Sequence, residues 1–338
     1  MASLRELGEL EVLRRLAAAR RPPTGTVVDS GDDSAVLRGE SGRDLVVTTD
    51  ALIEGRHFLP DWFSPEAVGE RLAVANLSDI AAMGAQPRWA LLSMGVRPEH
   101  DADALVALQR GLAAALARDG AGLVGGNVAG VEGSEWFSLT LIGDSVEGAV
   151  WTRRGARPGD HLALSGHPGR AGAGARLARS LGPAAKAAEW RPLLDAWIAP
   201  TSRVALAQAL GREGGVRAAI DVSDGLGAAL ELLCQASGVG ALIEDDAWPE
   251  DAPLELAALG LGMPLSALRL GPSDDYELLL AIEPAARETC RAVAAAAGAP
   301  LAFIGRLTDT PGALMLRDAR GADRPLEAPG YDQFAGGG

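Results

Sequence analysis

The sequence predicts a two-domain α+β protein in which helices and strands form α/β layers. Its 338 residues exceed what one hydrophobic core usually holds, and 48% of them are apolar, which is enough to pack two cores. Runs of β-branched residues alternate with segments of helical periodicity in both halves. The pattern changes at GAVWTRRGARPGD, so we place the boundary near residue 148, between domains 1–148 and 149–338.

In the first half, the sequence predicts helices and strands in the following order. A helix over roughly residues 3–19 is followed by the breaker RRPPTG, the acidic turn GDDSAVL and the strand DLVVTTD. Residues 64–83 predict a helix with Ser64 as its N-cap, because apolar residues recur at helical spacing after it. The strand WALLSMGV, the helix DADALVALQRGLAAALARDG and the strands GLVGGN and FSLTLIGDSV complete this half.

The second half alternates the two kinds of element. Strands are predicted at HLALSG, AAIDVS, YELLLAI and LAFIGRL. Helices are predicted over residues 171–181, 201–211, 224–236 and 284–297.

Composition excludes several classes of protein. The formal net charge of −14 opposes nucleic-acid binding, and no stretch has the roughly 20 uncharged apolar residues that span a membrane. The N-terminus lacks a signal-peptide pattern, so a cytoplasmic location is expected. Cys234 and Cys290 lie in apolar helical patterns and are interpreted as core thiols. Lys186 is the only lysine and follows no glycine loop, which excludes a P-loop.

Short acidic clusters recur where strands or helices should end. They are Gly31-Asp32-Asp33, Thr48-Thr49-Asp50, Ser78-Asp79, Asp221-Val222-Ser223-Asp224-Gly225 and Ser273-Asp274-Asp275. Magnesium prefers oxygen ligands and is usually held by a few carboxylates while it bridges phosphates. Strand alternation places Asp221 and Ser223 on one side, and the helix that follows can receive phosphate oxygens at its N-terminus. The clusters therefore predict a magnesium site for phosphoryl transfer from a nucleotide.

Some of the candidate residues also have a purely structural interpretation. Asp32 and Asp33 could form a surface turn, Asp79 could pair with an arginine inside the protein, and His57 could be an exposed loop residue. A covalent nucleophile is disfavoured, because the chain has no GxSxG motif and neither cysteine lies beside a histidine in sequence.

Nine segments in order resemble the thiamine-monophosphate kinase family of the aminoimidazole-ribonucleotide synthetase-like superfamily. They are GDDSAVL, VVTTDALIEGRHF, AVANLSDIAAMGA, LVGGN, WTRRGARPGD, LSGHPG, IDVSDGL, DDYELL and GYDQF. The resemblance runs from about residue 28 to about residue 334. It implies ATP-dependent phosphorylation of thiamine monophosphate to thiamine diphosphate, with several magnesium ions. It also implies a homodimer whose N-terminal domains pair into a barrel.

The resemblance assigns residues by motif position. Asp50, Asp79 and Asp221 would be catalytic. Gly126, Asn127, Arg153 and Ser223 would bind ATP, and His57, Asp274 and Tyr331 would bind the acceptor substrate. The implied metal ligands are Asp33, Thr48, Thr49, Asp50, Asp79, Asn127, Asp221 and Asp224.

Three positions depart from the family pattern. The usual GGD is Gly125-Gly126-Asn127, GGEDYEL is Pro272-Ser273-Asp274-Asp275-Tyr276-Glu277-Leu278, and an aromatic residue before the last motif is replaced by Ala328-Pro329. Two alternatives stay open at this stage. One is another ATP-using enzyme of the superfamily with a different substrate, and the other is a catalytically inactive regulator that binds nucleotide and metal.

Overall fold

The first half of the chain forms a six-stranded sheet. The computed structural model describes residue 11 and residues 24–28, 32–39, 42–146, 150–318 and 320–326. The strand order is β1-β2-β3-β6-β4-β5, and every neighbouring pair is antiparallel except the parallel pair of β4 and β5. The strands are β1 (Thr26–Val28), β2 (Ala35–Leu37), β3 (Arg43–Ile53), β4 (Gln86–Val96), β5 (Gly122–Gly130) and β6 (Trp136–Val146).

Two helices cover one face of this sheet. They are α1 (Pro65–Ala82) and α2 (Ala102–Arg118), and they also pack on each other. Ser64 caps α1, since its Oγ accepts a hydrogen bond from the Ala67 amide at 3.2 Å. The other face of the sheet is open and carries exposed apolar side chains at Leu45, Ile53, Trp89 and Leu91. With β1 and β5 as its edges, the sheet forms no closed barrel within the described part of one chain.

The second half forms a seven-stranded mixed sheet in the order β13-β12-β9-β11-β7-β10-β8. The strands are β7 (His161–Ser165), β8 (Val216–Val222), β9 (Gly240–Glu244), β10 (Glu277–Ile282), β11 (Leu301–Thr308), β12 (Leu314–Arg317) and β13 (Asp323–Pro325). The helices are α3 (Arg170–Leu181), α4 (Arg191–Ile198), α5 (Val204–Glu213), α6 (Leu226–Ser237), α7 (Ala252–Leu261), α8 (Leu265–Leu270) and α9 (Arg287–Ala296).

Helix α1 joins the two halves. It contacts β3 and β6 on one side, and β8, β10 and α5 on the other. Because α1 lies between two layers, most of its residues are buried around its whole circumference. One continuous apolar core therefore includes Leu72 of α1, Leu139 of β6 and Leu280 of β10. Leu279 of β10 points to the other side of the second sheet, into a separate core under α6.

Most long elements agree with the sequence prediction. The helix predicted over residues 64–83 spans Pro65–Ala82, and the four helices predicted in the second half begin and end within three residues of α3, α5, α6 and α9. Both cysteines are free and buried, as predicted. Residue 11 is helical, but the rest of the predicted first helix and the boundary residue 148 lie outside the described residues. In the described chain, no helix combines the length and apolarity needed to cross a bilayer.

Candidate active site

Three carboxylates from distant parts of the sequence meet where the two halves join. Asp33 precedes β2, Asp79 lies in the last part of α1, and Asp221 lies near the end of β8. One oxygen of each lies within 4.8 Å of the other two. Oxygen ligands at this separation can share one small divalent cation, which would offset their mutual repulsion.

The end of β3 approaches Asp79 from the first sheet. Thr48 Oγ1 donates a hydrogen bond to Asp79 Oδ2 at 2.5 Å, and the Asp50 amide donates to Asn76 Oδ1 at 3.2 Å. Strand alternation places Thr48 and Asp50 on the face of the sheet that α1 covers. Asn76 and Asp79 are three residues apart and share one face of α1, and both side chains hold β3 against this helix.

Asp221 is oriented from both halves of the chain. Ser78 Oγ of α1 donates to Asp221 Oδ2 at 2.8 Å, and Ser223 Oγ donates to Asp221 Oδ1 at 3.0 Å. These bonds fix a buried carboxylate at the junction between the two sheets. Asp224 follows in the turn before α6 and is half-buried.

Arg153 provides the positive charge nearest to Asp33. Its Nη2 donates to Asp33 Oδ1 at 2.6 Å, and its main-chain amide contacts Asp32 Oδ2 at 3.1 Å. Asp33 Oδ2 is buried and has no hydrogen-bond partner among the described residues. A buried carboxylate oxygen without a partner is costly, and a cation would satisfy it.

The electrostatics of the cluster also fit a cation. Burial, followed by the charge of Asp33, raises the pKa of Asp221 to about 8. Burial and the charge of Asp274 raise the pKa of Asp50 to about 6. The pKa of Asp79 rises well above its usual value because of burial and the charge of Asp50. Without a cation, the protein therefore holds protons on carboxylates that a metal would displace.

The donor set fits magnesium. Among the described residues it consists of carboxylate and hydroxyl oxygens, and no described histidine or cysteine joins the three acids. Hard cations prefer this chemistry. The unpartnered oxygen of Asp33 and the raised pKa of Asp221 both indicate that the described side chains leave negative charge uncompensated.

Thr49 and Asn127 lie away from these carboxylates. The Thr49 side chain is exposed on the open face of the sheet, where its Oγ1 donates to the Leu139 carbonyl at 3.1 Å. Asn127 is exposed on β5 and pairs in register with Ser93 of β4, so it also belongs to the open face. Two strands separate β5 from β3, which corresponds to about 14 Å between them. One chain therefore does not bring Asn127 to the three acids.

Gly126 has a structural reason to be glycine. It pairs with Leu92 of β4, and a Cβ at this position would overlap the Leu92 carbonyl oxygen. Leu92 pairs in turn with Leu139 of β6, and Leu139 pairs with Asp50 of β3. Gly126 therefore lies three strands away from Asp50 in the sheet. Its predicted role beside ATP phosphates is therefore separate from the carboxylate cluster in one protomer.

Two of the residues predicted to bind the acceptor, His57 and Asp274, lie near each other. His57 is half-buried, its Nδ1 accepts a hydrogen bond from the Ile53 amide at 3.0 Å, and burial lowers its pKa. The charge of Asp274 affects the pKa values of both His57 and Asp50, so its carboxylate lies near both side chains. Tyr331 lies outside the described residues.

Ser78 has a role at the site that the sequence alone did not indicate. Its neighbour Asp79 was predicted as a metal ligand because it is an acid. Ser78 occupies a different face of α1 and contacts the second half of the chain. The spacing of Arg71, Val74, Ala75 and Ser78 could have identified this second face, because these residues recur at three, four and seven positions. Val74 and Ala75 form an apolar cluster with Tyr276 of the second half.

Two layered sheets joined through a helix, with carboxylates from both halves at the junction, match a known two-domain class. Residues 31–144 match the AIR synthase related protein, N-terminal domain, and residues 157–316 match the AIR synthase related protein, C-terminal domain. The chain has the two-domain fold of this class, with mixed α+β content. Within it, the chain belongs to the thiamine-monophosphate kinase family, as its similarity to individual members shows.

Curated relatives match most of the chain. Thiamine-monophosphate kinase of Salmonella typhimurium is 34% identical over 309 residues, which cover 90% of this chain and 91% of the relative. The Mycobacterium tuberculosis (strain H37Rv) kinase is 36% identical over 279 residues, which cover 82% and 81%.

Solved structures agree over nearly the full length. The structure described as AaThiL complexed with AMPPCP and TMP has a TM-score of 0.85 and 27% identity, covering 98% of this chain and 99% of that chain. Thiamine-monophosphate kinase from Stenotrophomonas maltophilia K279a has a TM-score of 0.74 and 31% identity, covering 92% and 95%.

Proposed function

We propose that this protein phosphorylates thiamine monophosphate with ATP to give thiamine diphosphate and ADP. The observation that carries the proposal is the buried carboxylate cluster at the domain junction of a chain that is 34% identical to a thiamine-monophosphate kinase over nine-tenths of its length. The neighbouring structure with AMPPCP and TMP supports ATP and thiamine monophosphate as the two substrates.

The reaction is a direct in-line transfer between two phosphates. An oxygen of the thiamine monophosphate phosphate forms a bond to the γ-phosphorus of ATP, while the bond from that phosphorus to the bridging oxygen breaks and its electrons leave with ADP. The acceptor is largely ionised at neutral pH, so the residues need not provide a strong base. The main obstacle is repulsion between the two anions, and the chain must bring them together.

Magnesium would supply the positive charge for this step. When bound, the ions neutralise phosphate charge and align the two reactants. Asp50, Asp79 and Asp221 would be the catalytic carboxylates that hold them. We propose Asp33, Thr48, Asp50, Asp79, Asp221 and Asp224 as metal ligands at the junction, and Thr49 and Asn127 as ligands on the open face of the first sheet, apart from the three acids.

The remaining side chains would bind the substrates. We propose that Arg153, Ser223 and Gly126 contact ATP, with Asn127 beside its phosphates. Arg153 and Ser223 already contact Asp33 and Asp221 respectively, which supports a nucleotide position next to the cluster. His57, Asp274 and Tyr331 would contact the acceptor. We retain residues 1–148 and 149–338 as the two proposed domains.

The open face of the first sheet supports a homodimer. Trp89 and Leu91 are 48% and 41% exposed there, and Leu45 and Ile53 extend the same surface. A contiguous apolar surface on a sheet is typical of a protein interface. We propose that two copies bury these faces against each other and close a shared barrel. Because Asn127 and Thr49 both lie on this open face, such pairing would also bring Asn127 of one copy toward the Thr49 face of β3 in the other.

The direct test combines purified protein, ATP, magnesium and thiamine monophosphate. We expect thiamine diphosphate and ADP to appear in equal amounts, and the reaction to stop when a chelator removes the metal. Thiamine and thiamine diphosphate serve as control acceptors. Hydrolysis of ATP without thiamine diphosphate, or transfer only to another acceptor, would reject the proposal.

A further inference from the structure

Arg71 is completely buried, and the chemistry described above does not use its charge. It lies on α1 seven residues before Ser78, and therefore on the face that contacts the second half of the chain. A guanidinium remains protonated in proteins, so α1 carries a permanent positive charge into the domain junction. Burial of such a charge is expensive unless close partners compensate it.

The partners of Arg71 all lie near the proposed acceptor site. Its Nη1 donates to the Trp197 carbonyl of α4, and its Nη2 forms an ion pair with the Asp274 carboxylate. Its guanidinium carbon lies 5.5 Å from the Tyr276 ring centroid and 5.8 Å from that of Phe63. The planar guanidinium thus makes two directed hydrogen bonds and contacts two aromatic rings.

The loop that carries Asp274 is fixed on both sides of it. Asp275 accepts hydrogen bonds from the Gly169 amide at 2.6 Å and the Ala171 amide at 3.0 Å. Tyr276 has a φ of 53°, in the left-handed region that a bulky residue seldom adopts. Such a conformation persists only where surrounding contacts impose it, and the Tyr276 ring is buried against α1.

Asp274 itself stays partly open to solvent. Its side chain is 42% exposed while that of Arg71 is fully buried, so the ion pair has one covered end and one accessible end. The accessible carboxylate lies close enough to Asp50 and His57 for its charge to affect the pKa of both. Asp274 therefore lies at the edge of the carboxylate cluster, and the buried Arg71 side chain sets its orientation from the protein interior.

We propose that Arg71 is a positioning residue that holds the Asp274 carboxylate toward the cationic ring of the acceptor substrate. This inference rests on the proposed function, since a thiamine phosphate carries a permanently charged thiazolium ring. A short aspartate side chain has little reach, and a fixed guanidinium behind it sets its direction. Because Arg71 lies in the first half and Asp274 in the second, the contact also sets the acceptor site relative to the catalytic carboxylates.

The test compares Arg71→Gln and Arg71→Lys with the unaltered protein in steady-state kinetics. We expect Arg71→Gln to raise the KM for thiamine monophosphate about 30-fold, because a buried charge pair loses one partner. Arg71→Lys should raise it less, since lysine keeps the charge but cannot make the forked contact with Trp197 and Asp274. The KM for ATP should change by less than about twofold in both variants.

A double-mutant cycle with Asp274→Asn shows whether Arg71 affects the KM for thiamine monophosphate through Asp274. If Arg71 acts through Asp274, the double variant should be no worse in KM for thiamine monophosphate than Asp274→Asn alone. Arg217→Gln is the control, because Arg217 forms a half-buried ion pair with Glu283 away from the junction. It should leave both KM values unchanged.

Two results would overturn the inference. One is an equal rise in the KM for ATP and for thiamine monophosphate, and the other is additivity of the two substitutions. If Arg71→Gln does not fold, as judged by thermal melting, Arg71→Lys and its double variant with Asp274→Asn carry the same comparison. An unaltered protein that makes no thiamine diphosphate would instead reject the proposed function.

Discussion

Asp50 lies where β3 meets the covering helix α1, and its charge interacts with those of Asp79 and Asp274. Its carboxylate is held against other negative charges, and burial together with Asp274 raises its pKa to about 6. A carboxylate in such an environment destabilises the metal-free protein and is retained only where a cation compensates it. The feature of the individual residues that defines the site is therefore the negative charge of buried carboxylates, which the described side chains do not fully compensate.

Asp50→Asn should abolish turnover while the fold remains intact. The substitution removes a negative charge from the proposed magnesium site, so we expect kcat to fall about 100- to 1,000-fold. The melting temperature of the metal-free protein should not decrease, because repulsion with Asp79 is removed. Activity at saturating magnesium and a thermal melt measure both effects, and near-normal turnover would contradict the assignment.

Asn127 tests whether a residue on the edge strand reaches the metal. Asn127→Asp restores a negative charge at a proposed ligand, so we expect half-maximal activity at a magnesium concentration about tenfold lower. The exposed Ser93→Asp change on the neighbouring strand is a control for general charge on this face. An unchanged magnesium requirement in Asn127→Asp would show that this side chain is not a ligand.

At the scale of the element, α1 depends on close approach to α2. A Cβ added at Gly69 of α1 would overlap the Leu108 carbonyl, and one added at Gly111 of α2 would overlap the Glu66 carbonyl. The two helices therefore cross through a pair of glycines, with backbone against backbone. This crossing sets the position of α1, and with it the position of Asp79 and Ser78.

Gly111→Ala should destabilise the protein by about 1–3 kcal/mol, because overpacking outweighs the better helix propensity of alanine. Gly211→Ala in α5 is the matched control, since its nearest neighbour would be Trp151 Cζ2 at 3.8 Å. There alanine should be neutral or stabilising by up to about 1 kcal/mol. Urea unfolding measures both variants, and equal effects would contradict the close helix crossing.

At the scale of the whole molecule, the carboxylate cluster joins the two halves and makes stability depend on pH. Asp221, with a folded-state pKa of about 8, binds a proton over a range in which an unfolded aspartate has lost it. The folded state then holds more protons than the unfolded state, so stability decreases as pH rises. The affected window extends from about pH 4 to about pH 8.

The melting temperature of the metal-free protein should therefore fall by several degrees between about pH 5 and pH 8.5. Magnesium binds the deprotonated carboxylates, so it should reduce or remove this fall. A pH series of melting curves with chelator and with magnesium tests the effect. A melting temperature that rises with pH in chelator would contradict the raised pKa values.

Dimer formation is the second property of the whole molecule. Trp89→Arg places charge in the centre of the exposed apolar face, so we expect it to shift a dimer to monomer. Light scattering coupled to size-exclusion chromatography measures the mass, and Val106→Arg on the exposed side of α2 is the control. A monomeric unaltered protein would reject the dimer. The predicted cytoplasmic location and the expected lack of nucleic-acid binding stay predictions.

Local patterns in the sequence predicted the long elements well. Side chains at Ser64 and Asp101 cap the N-termini of α1 and α2, and α2 also has clear apolar periodicity, so the sequence marks where both helices begin. The sequence missed β9, whose apolar run of five residues does not distinguish a strand from a helix, and it missed the short helices α4, α7 and α8. Such short elements depend on contacts made elsewhere in the chain.

The ordered motifs were enough to indicate phosphoryl transfer from the sequence alone, and the aspartates and the single lysine predicted that metal ions assist it. Which of these groups meet depends on the folded chain. It brought Asp33, Asp79 and Asp221 together, turned Thr49 to the opposite face of β3, and paired Arg71 with Asp274 across 203 positions. The physical reason is that residue type and periodicity are local, whereas the register of the strands and the packing of α1 between two sheets are not.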